Sequence, residues 1–288
     1  MMMTKSHKNP SRKLGKRVLR WVAVLAILAV FFVWQQESFD TQTVQVNSDS
    51  LPLEFAGLRI VHLSDIHGKQ FGEGNSRLLK KVAEMEPDLI VITGDLIDRA
   101  EHVEGMVEPL AKGLAEIAPT YYVTGNHEWA VKRVTELKEL LRECGVRVLS
   151  NEYEIWERGG ATFAVAGVDD PSGPLDQKTA IQLRSEIEAD YTILLSHRDT
   201  VDKYENWGYD LVFCGHGHGG VFRIPIWDQG LLSTTREFFP EYDGGLYQWE
   251  SGGACFVSRG LGSNTVPIYA FRLFNRPDLP LIVLGPTE

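Results

Sequence analysis

Aspartate, asparagine and histidine side chains, the types that bind metal ions in proteins, follow several short strand-like runs in this sequence. These runs cover residues 58–63, 89–92, 120–123, 191–195 and 211–214. The side chains of metal-binding type that follow them are Asp65, His67, Asp95, Asn126, His197, His216 and His218. With His127, five of the eight histidines lie in such positions. A single buried histidine usually has a structural role, but so many in equivalent positions indicate a shared metal site.

Imidazole and carboxylate groups together suit divalent ions of hard to intermediate softness, such as manganese, iron or zinc, and carboxylates also bind magnesium. Two ions held about 3.5–4 Å apart need a ligand that contacts both of them. A carboxylate has two oxygens and can bridge, and Asp95, which follows the turn-forming Gly94, is the candidate for that position. We therefore expect a site for two divalent ions, which could be Mn, Fe, Zn or Mg.

These side chains would be positioned by β-strands that end just before them. The run at 89–92 is rich in β-branched residues and is bounded by Pro87 and Gly94, a pattern typical of a strand buried on both faces. Helical spacing of apolar residues occurs between the strands, at 75–85, 103–117 and 131–144. This alternation predicts an α/β fold with a largely parallel sheet, in which ligand sites lie at the carboxyl ends of the strands.

Charge is unevenly distributed along the chain. The formal net charge is −10, yet the first seven of the 29 basic residues precede all 39 acidic ones. The body of the protein is therefore strongly acidic and would repel a nucleic acid backbone, so we expect no nucleic acid partner. The three cysteines are far apart and lack the spacing of a disulfide framework or a zinc finger.

The N-terminal region has the pattern of a membrane anchor. Residues 1–17 form a basic tail, 18–34 are apolar with Trp21 and Trp34 as interfacial aromatics, and 35–50 read as a polar linker that finishes as an edge strand. Residues 51–288 would form the folded domain. A cleaved signal peptide is the alternative, but no small-residue cleavage site follows Trp34. The basic flank predicts a single-pass protein of the cell membrane with a cytoplasmic N-terminus and the domain on the outer face.

Five motifs together resemble the calcineurin-like metallophosphoesterase family, in order and in rough spacing, from residue 60 to about residue 220. They are Asp65-x-His67, Gly94-Asp95, Gly125-Asn126-His127-Glu128, His197 and Gly215-His216-x-His218. The continuation at 219–220, 257–262 and 274–277 resembles a membrane-anchored bacterial branch, some of whose members are UDP-2,3-diacylglucosamine pyrophosphatases. The resemblance implies two packed mixed β-sheets flanked by helices, a four-layer sandwich preceded by one transmembrane helix.

The resemblance also assigns roles to the residues that match the motifs. It implies that the first metal ion is held by Asp65, His67 and His218. It implies that the second ion is held by Asn126, His197 and His216. Asp95 would bridge the two ions, and an acidified water between them would attack phosphorus. His127 would face the substrate rather than a metal, where it could stabilise charge and protonate the leaving oxygen.

Several assignments remain open at this stage. Glu128 would either cap the helix that begins near residue 129 or orient His127. The aromatic-rich region 221–249 would be either a hairpin packed on the domain or an apolar lip that receives acyl chains or the bilayer surface. Arg223, Arg236 and Arg259 would meet a diphosphate or form salt bridges.

The sequence therefore predicts a metal-dependent phosphodiesterase or phosphatase that acts on a phosphorylated small molecule. The substrate would be lipid-linked, which the anchor and the aromatic-rich region favour, or a nucleotide diphosphate. The alternatives are an envelope phosphatase for soluble nucleotides or phosphoproteins and a non-catalytic binding module stabilised by metals. The prediction contains a conflict, because UDP-diacylglucosamine is made on the cytoplasmic face whereas the basic flank places the domain outside.

Overall fold

A computed structural model of the protein describes residues 10–174, 178–234, 236–263 and 271–287. The predicted basic tail, 1–17, lies partly outside the described residues. The described residues form an N-terminal helix followed by a layered α/β body.

The N-terminal helix α1 covers Pro10–Glu37 and is longer at both ends than the predicted apolar segment 18–34. Its part from Leu14 to Glu37 is long and apolar enough to cross a membrane, by length and composition, and little of it is buried against the body. Pro10 stands at its first position, where a missing N–H costs no helical hydrogen bond.

The body contains the following strands in chain order. They are β1 Thr43–Asn47, β2 Arg59–Leu63, β3 Leu89–Thr93, β4 Thr120–Val123, β5 Arg147–Val148, β6 Glu152–Arg158, β7 Ala161–Gly167, β8 Tyr191–Leu195, β9 Leu211–Cys214, β10 Arg223–Ile224, β11 Gln229–Gly230, β12 Gly245–Gln248, β13 Ala254–Val257 and β14 Leu281–Gly285. The α-helices of the body are α2 Ser76–Glu84, α3 Glu108–Ile117, α4 Asn126–Val131, α5 Val134–Glu143, α6 Ala180–Arg184 and α7 Val201–Tyr204.

Two six-stranded sheets and one small hairpin are formed. The first sheet has the order β1-β14-β2-β3-β4-β5, and the second has the order β12-β13-β9-β8-β7-β6. Within the first sheet β2, β3, β4 and β5 run parallel, while β14 is antiparallel to β2. Within the second sheet β13, β9, β8 and β7 run parallel, while β12 and β6 are antiparallel at its edges. Both sheets are therefore mixed, as expected.

The two sheets pack face to face, and helices cover their outer faces. Strand β3 shows the arrangement, because Leu89 and Val91 lie in the core between the sheets. Ile90 and Ile92 lie instead in the core that the first sheet shares with α2, α3 and α5. Residues of β7, β8 and β9 form a third core with α6 and α7. The four-layer sandwich preceded by one apolar helix is thus confirmed.

The edge strand β1 of the first sheet lies in the segment predicted as a linker. Residues 35–37 of that segment belong to α1, and β1 pairs in parallel with β14 at the edge. The division of the chain at residues 17, 34 and 50 stays a prediction. The predicted helix 103–117 is divided into a π-helical turn at Val103–Val107 and the α-helix α3. Pro109 lies in the first turn of α3 and has no backbone N–H to donate to the preceding turn.

Candidate metal centre

The predicted site residues all follow strands whose carboxyl ends meet at one edge of the sandwich. Strands β2, β3 and β4 are neighbours in the first sheet, and β8 and β9 are neighbours in the second. Direct contacts join the two sets of loops. Nδ1 of His197 lies 2.8 Å from the carbonyl oxygen of Thr93, and the backbone N–H of His216 donates to the Asp65 carboxylate at 3.0 Å. The face-to-face packing therefore brings ligand-type side chains from both sheets together.

The first group of side chains contains Asp65, His67 and His218, all of them buried. Nε2 of His67 lies 2.9 Å from Nε2 of His218. Oδ1 of Asp65 lies 3.4 Å from Nε2 of His218 and 3.8 Å from Nε2 of His67. Three potential ligand atoms thus converge on one small volume.

The second group contains Asp95, His197 and His216. Oδ2 of Asp95 lies 3.2 Å from Nε2 of His197, which is 3.1 Å from Nδ1 of His216. The same Asp95 oxygen lies 3.8 Å from Nε2 of His67 and 3.9 Å from Nε2 of His127. Asp95 therefore stands between the two groups.

The donor set fits bound cations. A backbone carbonyl can only accept, so Nδ1 of His197 carries a proton, and Nε2 is the ring nitrogen that faces Asp95 and His216. Burial alone would lower the pKa of His197, but the charge and hydrogen bond of Asp95 raise it to about 10, so the site attracts positive charge. Oδ1 of Asn126 is buried at the same edge without a hydrogen-bond partner, and a metal ion would satisfy it.

The backbone of these loops adopts unusual conformations. Asp65, His67, Asp95, His216 and His218 all have φ between 49° and 70°, the left-handed region that non-glycine residues seldom occupy. Hydrogen bonds between the loops hold this geometry, including one of 2.9 Å from the His67 N–H to the Asp95 carbonyl oxygen. Such strain is typical of functional sites, where the surrounding fold imposes it.

Glu128 joins the loop after β3 to the loop after β4 by hydrogen bonds. Its buried carboxylate accepts hydrogen bonds from the backbone N–H groups of Gly125, Asp95, Leu96 and Ile97 at 2.6–3.2 Å. Burial and the neighbouring Asp95 raise the pKa of Glu128 to about 7. Glu128 therefore does cap a helix, although α4 begins at Asn126 rather than near residue 129, so that Glu128 lies in its first turn. Glu128 additionally fixes the backbone that carries Asp95.

Asp98 is a functional-site residue that the sequence analysis missed. Its Oδ1 lies 2.5 Å from Nδ1 of His67 and 2.7 Å from Nδ1 of His127. Burial would raise the pKa of Asp98, but these two histidines hold it well below its usual range. The signal available in the sequence was the spacing, because Asp98 follows Asp95 by three residues in the same loop.

The arginines differ in their surroundings. Arg198, which follows His197, contacts Nε2 of His216 at 3.0 Å and forms two hydrogen bonds with the Asp170 carboxylate. Arg223 and Arg259 are buried in ion pairs with aspartates, so the salt-bridge interpretation is confirmed for them. Arg236 is exposed.

The two remaining histidines in the described body lie outside the groups above. His62 is buried between the sheets, where its Nε2 lies 2.7 Å from Thr93 Oγ1 and its ring contacts those of Phe213 and Phe256. Nδ1 of His102 accepts a hydrogen bond from the backbone N–H of Asp98.

A sequence model of the calcineurin-like phosphoesterases matches residues 58–220, which include every residue of this edge. The chain belongs to the calcineurin-like phosphoesterase family. As a member of that family, it is a hydrolase that acts on phosphoester bonds.

Three relatives of this calcineurin-like phosphoesterase are 28–30% identical to it in sequence. An uncharacterised metallophosphoesterase of Aquifex aeolicus is 30% identical over 83% of the chain and 89% of its own length. The phosphodiesterase YaeI of Escherichia coli is 28% identical over 80% of the chain and 83% of its own length. A transmembrane protein with metallophosphoesterase domain of Danio rerio is 30% identical over 91% of the chain, which spans 61% of that relative. That relative's name and helix α1 together indicate membrane anchoring.

Proposed function

We propose that the protein hydrolyses phosphoesters with two divalent ions, which could be Mn, Fe, Zn or Mg. The first would be held by Asp65, His67 and His218, and the second by Asn126, His197 and His216. Asp95 would bridge them. The observation that carries the proposal is the position of the Asp95 carboxylate, within 3.8 Å of a histidine nitrogen from each group.

When bound, the ions would supply positive charge for the phosphoryl oxygens and acidify a water that attacks phosphorus. The protein contributes His127, whose side chain is 22% exposed at the rim of the buried groups. Asp98 accepts from Nδ1 of His127 and so directs Nε2 towards the reacting group. Burial lowers the pKa of His127, but Asp98 and Asp95 raise it above its ordinary value. A protonated His127 can then donate to the leaving oxygen, a transfer worth about 10²–10⁴ in rate.

The substrate would be a phosphorylated small molecule or a lipid-linked phosphoester. Helix α1 would hold the enzyme in the cell membrane as a single-pass protein, with the metal centre on the outer face because the basic residues precede the apolar segment. The position of His127 favours an enzyme over a binding module, because His127 lies beside the centre and is not among the proposed ligands.

The test is hydrolysis of bis-p-nitrophenyl phosphate and p-nitrophenyl phosphate by the full-length protein in detergent. The protein is stripped of metal and then given Mn, Fe, Zn or Mg one at a time. Asp95→Asn should lose ion binding together with activity, whereas His127→Ala should bind two ions and lose about 10²–10⁴ in rate. Asp49→Asn, which makes the same change as Asp95→Asn at an exposed site, serves as the control and should retain activity.

Wild-type protein that binds two ions but hydrolyses neither ester with any metal would overturn the proposal and favour the binding module. The ratio of diester to monoester activity would define the substrate class.

A further inference from the structure

Large apolar side chains are concentrated on one part of the surface of the body. Outside α1, six of the ten large apolar side chains that the described residues expose lie on two adjoining segments. We call this set the apolar rim, and its members are Ile226, Trp227, Phe238, Phe239, Phe271 and Phe274. Ile226 is 88% exposed and Trp227 is 74% exposed, at the turn of the β10–β11 hairpin. Such a concentration is typical of an interaction surface.

The apolar rim is continuous with the end of α1. The ring of Phe274 lies 5.8 Å from that of Phe31, and the ring of Phe271 lies 5.8 Å from that of Phe32. The hairpin turn reaches the same place, because Pro225 and Phe274 line one cleft together with Gln35 of α1. The apolar surface of the helix therefore continues onto the body at Phe271 and Phe274, and the cleft shared with the hairpin turn is lined also by the charged Asp40, Arg259 and Arg276.

Phe238 and Phe239 are linked to this surface through the neighbouring chain. The N–H of Phe239 donates to Leu231, and the N–H of Leu231 donates to Phe222. The ring of Phe222 in turn lies 5.6 Å from that of Phe271.

The apolar rim is also attached directly to the metal-binding loop. Thr234 Oγ1 donates to the carbonyl oxygen of His216 at 2.9 Å, and Asn275 Nδ2 donates to that of His218 at 2.7 Å. The backbone N–H of Leu232 donates to Gly220 at 3.2 Å. The segments that carry the apolar side chains thus hold two of the proposed ligands, and their position fixes the position of the centre.

The length of the apolar part of α1 indicates what covers the apolar rim. The uninterrupted apolar stretch from Trp21 to Trp34 rises only ~21 Å as an α-helix. The hydrocarbon core of a bilayer is ~30 Å thick. Arg20 can reach the interface with its long side chain at one end. At the other end, apolar side chains of the body would enter ~5–10 Å into the headgroup and acyl boundary beside the helix.

The charged side chain at the hairpin turn does not oppose insertion of the turn into the headgroup and acyl boundary. The acid at the turn, Asp228, is paired with Arg223, whose Nε lies 3.0 Å from its Oδ1. Trp34 at the end of the helix is contacted by the Arg276 guanidinium 5.0 Å from its ring. Tryptophan side chains are enriched at membrane–water interfaces, which agrees with the position of Trp34 at the end of the apolar stretch.

We infer that the apolar rim lies in the bilayer beside the end of α1 and holds the metal centre against the membrane surface. The centre then receives amphiphilic phosphoesters whose apolar chains stay in the bilayer. The placement in the membrane rests on the contacts above, whereas the substrate class rests also on the proposed function. The two parts are therefore tested separately.

The placement is tested by nitroxide labelling of the full chain in phosphatidylcholine and phosphatidylglycerol vesicles. Ile226→Cys is compared with Leu53→Cys, a matched site that is 73% exposed and precedes β2 at the opposite end of the strands. The native cysteines are buried and stay unlabelled. The label at 226 should collide more often with oxygen than with a water-soluble nickel chelate, and the label at 53 should show the reverse. Free access of the chelate to position 226 overturns the inference, and so does exclusion of both quenchers, which would show that protein covers this surface.

The substrate class is tested with two esters that share one leaving group. Ethyl p-nitrophenyl phosphate is soluble, and hexadecyl p-nitrophenyl phosphate is incorporated in the vesicles. The wild-type protein should show at least about tenfold higher kcat/KM on the hexadecyl ester. The double variant Trp227→Ser, Phe238→Ser should lose most of that preference while its kcat/KM on the ethyl ester stays unchanged. Leu53→Ser should leave kcat/KM on both esters unchanged.

Equal use of both esters by the wild-type protein overturns the substrate class while the hydrolase stands. Failure to hydrolyse either ester with any metal overturns the proposed function, and the labelling result still decides the placement.

Discussion

Oδ1 of Asp98 lies 2.7 Å from Nδ1 of His127. The same oxygen also accepts from Nδ1 of His67, so one carboxylate orients both a proposed metal ligand and the proposed proton donor. A residue that acts through two histidines is a positioning residue, and its removal should affect the rate at full metal occupancy.

Asp98→Asn can keep the Oδ1 acceptor that both histidines use, but it removes the negative charge that strengthens the two hydrogen bonds. We expect kcat to fall about 10²-fold with little change in KM, and the affinity of the ion at His67 to fall about 10–100-fold. Hydrolysis of bis-p-nitrophenyl phosphate at saturating metal, with ion content measured in parallel, checks this. Asp49→Asn makes the same change at an exposed site and should have no effect. A wild-type kcat at full ion occupancy would exclude Asp98 from the mechanism.

Gly94→Ala should separate two of the loops that form the site. A Cβ at this position would lie 2.4 Å from the Gly125 nitrogen, and φ is +85°. Collision with backbone and the left-handed conformation together should cost about 3–5 kcal/mol, with loss of ion binding.

Gly57→Ala is the matched control, because its φ is +83° and nothing lies within 4 Å of the new Cβ. It should cost only the conformational term, about 1–2 kcal/mol. The difference between the free energies of unfolding of the two variants measures the collision, and equal values would disprove it.

Glu128→Gln should destabilise the fold, because the amide places an N–H₂ group among the four backbone donors that the carboxylate now satisfies. We expect the free energy of unfolding to fall by about 2–3 kcal/mol. Glu143→Gln at the exposed end of α5 is the control. Denaturant unfolding gives both values, and a change below that of the control would contradict the bridging role of Glu128.

His62 should make the stability of the metal-free protein depend on pH. Burial lowers the pKa of His62 from 6.5 to about 3, so below pH 6.5 the unfolded chain binds a proton that the folded chain does not. Stability is therefore highest above pH 6.5 and falls as the pH decreases towards 3, by about 1.4 kcal/mol per pH unit from this group.

His62→Gln keeps a hydrogen-bonding group beside Thr93 but does not titrate. Between pH 7 and pH 5 it should lose roughly 2 kcal/mol less stability than the wild-type protein does. Unfolding midpoints of both metal-free proteins at the two pH values check this, and parallel pH dependences would show that His62 is not the group responsible.

The sequence determined which residues could bind metal and which elements carry them. Short apolar runs mark buried strands, and a strand followed by Gly94-Asp95 delivers the Asp95 side chain to the carboxyl edge of the sheet, because Asp95 directly follows the turn-forming glycine that ends the apolar run. The proposed ligand types and the apolar helix at the N-terminus could be predicted for the same reason: each depends on a local pattern of polarity.

Only the tertiary structure decided which of these elements meet. Nothing in the local pattern places β14 between β1 and β2, or brings His197 to the carbonyl of Thr93 on the other sheet. The role of Asp98, the four hydrogen bonds of Glu128 and the contact of Phe271 with Phe32 also join residues that are apart in the chain. Periodicity reports how each residue is buried, whereas pairing and orientation depend on long-range packing, which is fixed only when both sheets and the helix are in place.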